Sequence, residues 1–295
     1  MAAGCIRMTE RLFLRLQEDL TQGPESAAPA GTLRSLPVPA ALRQQVAHGL
    51  MYRETFADGV EVSERVLPDG AVRLVLDLAT PPSATGETAG GLIIGASSSA
   101  AMVRLQGRMH GLSITLLPGA TMDLFGLPAG ELTGTAVSLR ELLQDDATAL
   151  CERLATAPGA EARVEALWSL LLQRLQRHPT TASAQVASAV RLIAATGDRA
   201  RLRDVADAIG VGERRLQQLF HTHVGLSPRA MGRLSRLHHL LRALRRRPAD
   251  GWAALAVDGG FYDQSHLVNE FQSLCGVTPT EFIRRTISGS SKTAR

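Results

Sequence analysis

The feature that most constrains the fold of this chain is a motif that occurs twice near its carboxyl end, 51 residues apart. Residues 220–228 and 271–279 both read phenylalanine, four residues, glycine, an apolar residue, serine or threonine, and proline. An apolar stripe precedes each copy, and Leu216 matches Leu267 at the same offset. A pattern repeated with its glycines and prolines in register indicates one supersecondary unit that is used twice.

Each copy has the periodicity of a helix-turn-helix. In the first copy, the apolar residues of 202–209 recur at i, i+3, i+4 and i+7, which predicts a short helix. Residues 210–212 form the turn before a second helix. In the second copy the turn falls at residues 259–260, and Asp263 can cap the helix that follows. Leucines at i, i+3, i+7 and i+10 within residues 234–244 predict a long helix between the copies.

Charge is distributed unevenly along the 295 residues. Residues 1–150 contain 11 arginines against 16 acidic residues, a net charge of −5, whereas residues 201–295 contain 15 basic against 8 acidic residues, a net charge of +7. Such an excess attracts polyanions, either nucleic acid or an anionic membrane surface. Of the 32 basic residues only Lys292 is a lysine, so we expect guanidinium groups to make the phosphate and base contacts.

Composition excludes several other classes of protein. With 45% hydrophobic and 20% charged residues the chain can build buried cores. No run approaches the ~20 apolar residues of a membrane helix, and the charged N-terminus does not resemble a signal peptide, so we expect a cytoplasmic protein without a membrane partner. Cys5, Cys151 and Cys275 have no CxxC spacing and are interpreted as ordinary thiols rather than a zinc site.

The N-terminal two thirds give mixed signals. Residues 1–50 contain the turn-forming pair Gly23-Pro24 with Pro29, Pro37 and Pro39, and these predict a loop-rich lead-in. Alternating apolar residues at 72–78 and 112–116 predict strands of a small sheet or barrel between about residues 60 and 127. A capping box of Ser138 and Glu141 opens a predicted helix that runs to Leu154, and two further helices are expected before a stop at Gly197.

The repeat region resembles the DNA-binding domain of the AraC/XylS family of bacterial transcription regulators. The resemblance covers about residues 190–287 and depends on residues 260–267, Phe271 and residues 276–279. Gly212 departs from the serine that often caps the first recognition helix in the family. Residues 112–120 and 124–128 also resemble the sensor-type domain of uncharacterised AraC-like regulators.

The predicted architecture is therefore α+β. A small N-terminal β-sheet or cupin-like barrel with following helices precedes an all-α domain of two helix-turn-helix units joined by a long helix. We expect a loop-rich segment at residues 1–50, a mixed α/β sensor or dimerisation domain at 51–196, and an AraC-type DNA-binding domain at 197–295. Leu167, Leu171 and Leu175 are expected to pack in a core, with a dimer interface as the alternative.

The outward residues of the two second helices are the candidates for reading duplex DNA. Glutamine can recognise adenine and arginine can recognise guanine in the major groove through paired hydrogen bonds. The candidates for base reading are Arg214, Gln217, Gln218, Gln264, Ser265 and Asn269. The candidates for phosphate contact are Arg215, Arg245, Arg246, Arg247 and His266, although Arg245–Arg247 also suit a helix C-terminus and His266 also suits a structural role.

The function expected from the sequence is sequence-specific transcription regulation, without catalysis. The resemblance implies double-stranded DNA as the partner, with RNA polymerase and a small-molecule effector as further candidates. A second copy of the chain is a candidate partner because of the leucine stripe, and no cofactor is expected. The alternative is a DNA-modifying or metal-dependent enzyme with an AraC-like module. That alternative needs a cluster of metal ligands, yet residues 60–127 contain one histidine, His110.

Overall fold

The computed structural model confirms an α+β chain, with sheets first and helices after them. It describes residues 9–13, 31–78, 91–177, 183–197, 201–246, 252, 256 and 259–290. No helix in these ranges has the length and apolarity that a membrane span requires.

Two sheets make up the N-terminal part. The strands are β1 (Thr9–Phe13), β2 (Leu33–Leu36), β3 (Val46–Thr55), β4 (Glu61–Val66), β5 (Arg73–Asp77), β6 (Leu92–Ile94), β7 (Ala101–Gln106), β8 (Arg108–Leu116) and β9 (Ala136–Ser138). One sheet has the order β1-β4-β7, with β1 parallel to β4. The other has the order β2-β3-β8-β5-β6-β9 and is antiparallel throughout.

The alternating segments become strands where the sequence predicts them, as β5 and β8. The sheets also begin earlier than the sequence indicates, because β1, β2 and the start of β3 lie within the segment predicted to be loop-rich. Strand β2 has only four residues, Leu-Arg-Ser-Leu, which is too short for alternation to be visible. Its pairing with β3 supplies the hydrogen bonds that local sequence does not specify.

Helices form the rest of the chain. They are α1 (Ala120–Phe125), α2 (Leu139–Leu143), α3 (Asp145–Thr156), α4 (Ala160–Arg177), α5 (Ser183–Thr196), α6 (Leu202–Ala208), α7 (Glu213–His223), α8 (Pro228–Arg246), α9 (Gln264–Cys275) and α10 (Pro279–Ser290). A short 3-10 helix, Ala129–Leu132, follows α1.

The helix predicted to run from Ser138 to Leu154 is wrong as a single element. The hydroxyl of Ser138 accepts the N–H of Arg140 at 3.2 Å, as an N-cap does, but the chain breaks at Gln144, where φ is +46°. Leu139 and Leu143 of α2 and Leu150 and Leu154 of α3 are buried in the same core. No glycine or proline marks the break, so apolar periodicity alone could not reveal it.

The apolar stripe of α4 packs inside the molecule. Leu167 and Leu171 are fully buried, and Leu175 is partly buried against the same core. These leucines therefore pack in the core of a single chain. This favours the expected core packing over the alternative of a dimer interface.

Candidate nucleic-acid interface

The first helix-turn-helix unit consists of α6 and α7. Val205 on α6 and Leu216 and Phe220 on α7 are buried, so the two helices pack through the apolar stripes that the sequence shows. Gly210 occupies the turn at φ +72°, a left-handed conformation that favours glycine. This packing fixes which face of α7 points outward.

The outward face of α7 carries the predicted contact residues. Arg214, Arg215, Gln217 and Gln218 are all exposed. These side chains share one face of an eleven-residue helix, as a helix that enters the major groove requires. Their individual roles in base or phosphate contact stay predictions.

The second unit presents α9 in the same way. The carboxylate of Asp263 accepts the N–H of His266 at 2.7 Å and caps the helix as predicted. Gln264, Ser265 and Asn269 are exposed. Most of the first helix of this unit, expected around Trp252, lies outside the described residues.

The phosphate candidates differ in what surrounds them. Arg245 and Arg246 end α8, but their side chains and all of Arg247 lie outside the described residues. The Nδ1 atom of His266 accepts the N–H of Tyr262 at 3.2 Å, and its Nε2 atom lies 3.2 Å from a carboxylate oxygen of Glu270. In this conformation His266 therefore contributes to the start of α9.

A buried ion pair holds α9 against the linking helix α8. The Nη2 atom of Arg236 lies 2.7 Å from both carboxylate oxygens of Glu270, and the two side chains are 9% and 7% exposed. The guanidinium carbon also lies 4.8 Å from the ring centroid of Phe261. This pair was not predicted, although a glutamate between the apolar Leu267 and Phe271 is a sequence signal for a buried acidic group.

A turn of the N-terminal part contacts the middle of α8. The Nε2 atom of His238 lies 3.1 Å from the carbonyl oxygen of Pro68. Burial lowers the pKa of His238, and the charges of Arg242 and His239 lower it further, against the opposing effects of the Pro68 carbonyl and Asp69. His238 is therefore held neutral at this contact.

The free energy of unfolding should decrease as the pH falls, because His238 takes up a proton more readily in the unfolded state than in the folded state. The unfolded pKa of histidine is about 6.5 and the folded pKa of His238 is lower, so below about pH 6.5 the unfolded state binds a proton that the folded state rejects. We expect urea unfolding at pH 5.5 and 7.5 to show this loss, and His238→Gln to reduce it. An identical pH dependence in wild type and variant would contradict the assignment.

A cavity of about 270 Å³ lies between the two sheets. Apolar side chains such as Leu67, Val75 and Leu105 line most of it. Polar side chains also line it, among them Asp69 and Arg73. The guanidinium of Arg11 donates to both carboxylate oxygens of Glu54 at 2.9 and 2.7 Å. The Nε atom of the same guanidinium donates to a carboxylate oxygen of Glu64 at 2.5 Å.

Burial lowers the pKa of Arg11, but the carboxylates of Glu54 and Glu64 outweigh that effect and raise it above the ordinary value. The guanidinium of Arg11 therefore stays charged beside the two carboxyl groups. The cavity thus combines an apolar interior with a fixed ionic cluster.

The described residues contain no group of three His, Cys, Asp or Glu side chains placed to hold a metal ion. Cys151 and Cys275 are buried free thiols, and burial raises the pKa of Cys275 to about 12. A thiol with such a pKa stays protonated and is a poor nucleophile. The enzyme alternative gains no support from these residues.

Two family models match the chain. Residues 205–285 match a family described as a helix-turn-helix domain, and residues 34–138 match a domain of unknown function (DUF6597). No curated protein matches the sequence.

Solved structures of ToxT from Vibrio cholerae share low similarity with this chain. A 1.65 Å structure is 11% identical with a TM-score of 0.40 and covers 80% of this chain and 97% of that one. ToxT bound to (E)-4-(8-methylnaphthalen-1-yl)but-3-enoic acid is 10% identical with a TM-score of 0.40, covering 80% and 97%. ToxT bound to an unsaturated fatty acid is 13% identical with a TM-score of 0.38, covering 80% and 94%. These values are too low to transfer the ligands of ToxT to this chain.

The helix-turn-helix match spans α7, α8 and α9 and both copies of the sequence motif. It agrees with the resemblance in position and in architecture. The chain is therefore a DNA-binding transcription regulator whose C-terminal domain is a helix-turn-helix domain of the AraC type.

Proposed function

We propose that this regulator reads a specific duplex sequence with α7 and α9, and that a small molecule bound between the two sheets changes its DNA occupancy. One observation supports the DNA-reading part most directly. Two repeat-related helices bury their apolar faces and expose hydrogen-bonding side chains on the opposite faces.

The exposed residues suit base recognition because amide and guanidinium groups can each form two hydrogen bonds with one base. Arg214 and Gln218 on α7, and Gln264 and Asn269 on α9, can each pair with the edge of one base. Arg215 adds a charge for a phosphate, which positions the protein without specifying sequence. Two helices on one chain suit successive major grooves, which lie ~34 Å apart.

The cavity between the sheets is the proposed effector site. Its apolar lining favours an apolar molecule, while the Arg11 and Glu54 pair offers a hydrogen-bonding group that can orient it. RNA polymerase and a second copy of the chain are the further partners that we propose from the domain type. Light scattering of the purified protein tests the second of these.

Selection from a randomised duplex library tests the DNA-reading part. Purified full-length protein at low salt should enrich one consensus with two recognisable segments. A selection that returns random sequence, with the bound fraction depending only on salt, would overturn the proposed readout.

Blocking the cavity tests the effector part. Thermal unfolding of the full chain with a panel of apolar acids, alcohols and amides should identify compounds that raise its Tm. Val75→Phe, which places a larger ring in the cavity, should abolish that rise. Val60→Phe is the matched control because Val60 is 43% exposed and does not line the cavity. Equal Tm shifts in both variants would show that the ligands bind elsewhere.

A further inference from the structure

The N-terminal part contacts both recognition helices at equivalent atoms of the repeat. His223 near the end of α7 and Leu274 near the end of α9 are 51 residues apart, the offset of the sequence motif. The carbonyl of His223 accepts the N–H of Gly119 at 2.7 Å, and the carbonyl of Leu274 accepts the N–H of Ala100 at 2.8 Å. The last carbonyls of a helix have no partner within the helix, so each bond satisfies a group that needs one.

The glycines that follow the two helices are also contacted. Gly225 and Gly276 are again 51 residues apart, with φ of +83° and +70°. The Thr133 hydroxyl donates to the carbonyl of Gly225, and a Cβ atom on Gly225 would lie 2.9 Å from the carbonyl oxygen of Ala129. A Cβ atom on Gly276 would lie 2.5 Å from Nη1 of Arg65, so this guanidinium covers the end of α9. A positive charge is favourable at a helix C-terminus.

A third contact joins the N-terminal part to the linking helix α8. The turn of residues 68–70 packs on the linking helix, where a Cβ atom on Gly70 would lie 2.9 Å from the Cδ1 atom of Leu234. The contact between His238 and Pro68 belongs to the same turn. The N-terminal part therefore contacts the first unit, the linking helix and the second unit.

We infer that these contacts of the N-terminal part form a clamp. The clamp fixes the distance and the angle between α7 and α9, and so sets the spacing of the two DNA segments that the protein reads. The clamp consists of Arg65, Ala100, Gly119, Ala129 and Thr133. These are positioning residues, and the inference rests on the DNA binding proposed above.

The clamp is connected to the cavity by the chain itself. Glu64 and Val66 line the cavity on either side of Arg65, and Ala101 lines it next to Ala100. A molecule that displaces β4 or β7 therefore moves the contacts at the end of α9. This gives the proposed effector a route to the spacing of the recognition helices.

Two variants weaken the clamp without touching a recognition helix's own residues. Thr133→Val removes the hydroxyl at the first unit, and Arg65→Met removes the guanidinium at the second. Thr135→Val is the control for the first, because the Thr135 hydroxyl donates at 2.9 Å to Leu132 in the same loop. Arg104→Met is the control for the second, because Arg104 lies in the same sheet and its side chain is 80% exposed.

Spin labels on the two helices measure the effect without DNA. Labels at Gln218→Cys and Gln272→Cys, in a full chain with Cys5→Ser, report the distance between α7 and α9, since Cys151 and Cys275 are buried. Wild type and the two control variants should give one narrow distance distribution. Thr133→Val with Arg65→Met should give a broader distribution or a second population. A distribution as narrow as that of the wild type would overturn the clamp.

The selected duplex then tests the functional consequence. Inserting ~5 base pairs between the two segments rotates one of them by half a turn, and should weaken binding of the wild type by about tenfold or more because one helix loses its base contacts. Thr133→Val with Arg65→Met should lose less affinity on the lengthened duplex, whereas the control variants should lose as much affinity as the wild type. An unchanged loss of affinity in the clamp variant would contradict the inference. Failure of the selection itself would remove the proposed function but leave the spin-label result to judge the clamp.

Discussion

Glu270→Ala is expected to lower the free energy of unfolding by about 3–5 kcal/mol, because it leaves a buried charge without its partner. Arg236 is 9% exposed, and Glu270 accepts its guanidinium with both oxygens at 2.7 Å. Chemical denaturation monitored by circular dichroism measures the change. We expect α9 to lose its fixed position on α8, so DNA binding should weaken in the same variant.

Two comparisons decide whether the ion pair causes this loss. Glu165→Ala removes an exposed glutamate from α4 and should change stability by less than about 0.5 kcal/mol. Arg236→Met with Glu270→Leu should recover most of the stability, because an apolar pair of similar volume needs no charge compensation. A loss in Glu270→Ala no larger than that in Glu165→Ala would contradict the assignment.

The repeat itself explains why the apolar pair should be tolerated. Glu270 corresponds to Leu219 at the offset of 51, and Leu219 is buried in the first unit. The same position in one fold thus holds leucine in one copy and a paired glutamate in the other. The pair is therefore a local feature of the second unit, which fixes α9 to α8 in a way that α7 does not share.

The DNA-binding domain could be predicted from the sequence because its elements are long, periodic and duplicated. The apolar stripe of α7 and the Asp263 cap of α9 follow rules of local structure. The N-terminal sheets were predicted less completely. Short strands such as β2 depend on partners distant in sequence, and the break at Gln144 depends on how α2 and α3 pack.

The clamp contacts could not be predicted from sequence for a different reason. The bonds from Gly119 to His223 and from Ala100 to Leu274 join backbone atoms, and nearly every residue type offers the same donor and acceptor. Only Thr133 and Arg65 leave a chemical signal, and neither residue is unusual in a strand or loop. The helix-turn-helix elements could therefore be predicted from the sequence, whereas their contacts with the N-terminal part could not.

Gln218→Ala combined with Gln264→Ala is expected to cost about 2–6 kcal/mol of binding free energy on the selected duplex, since each bidentate contact to a base contributes about 1–3 kcal/mol. The two residues lie on α7 and α9 and are exposed, so removing them should leave the fold unchanged. On random duplex the loss should be far smaller, because phosphate contacts by residues such as Arg215 carry the nonspecific affinity.

Titration of both duplexes at several salt concentrations separates the two effects. The salt dependence of binding should be the same in wild type and variant, because glutamine carries no charge and releases no counterions. Gln272→Ala is the matched control, since Gln272 is exposed on α9 but is not among the base-reading candidates. Equal losses on selected and random duplex would show that the two glutamines do not read bases, and would leave Arg214, Gln217, Ser265 and Asn269 as the base-reading candidates.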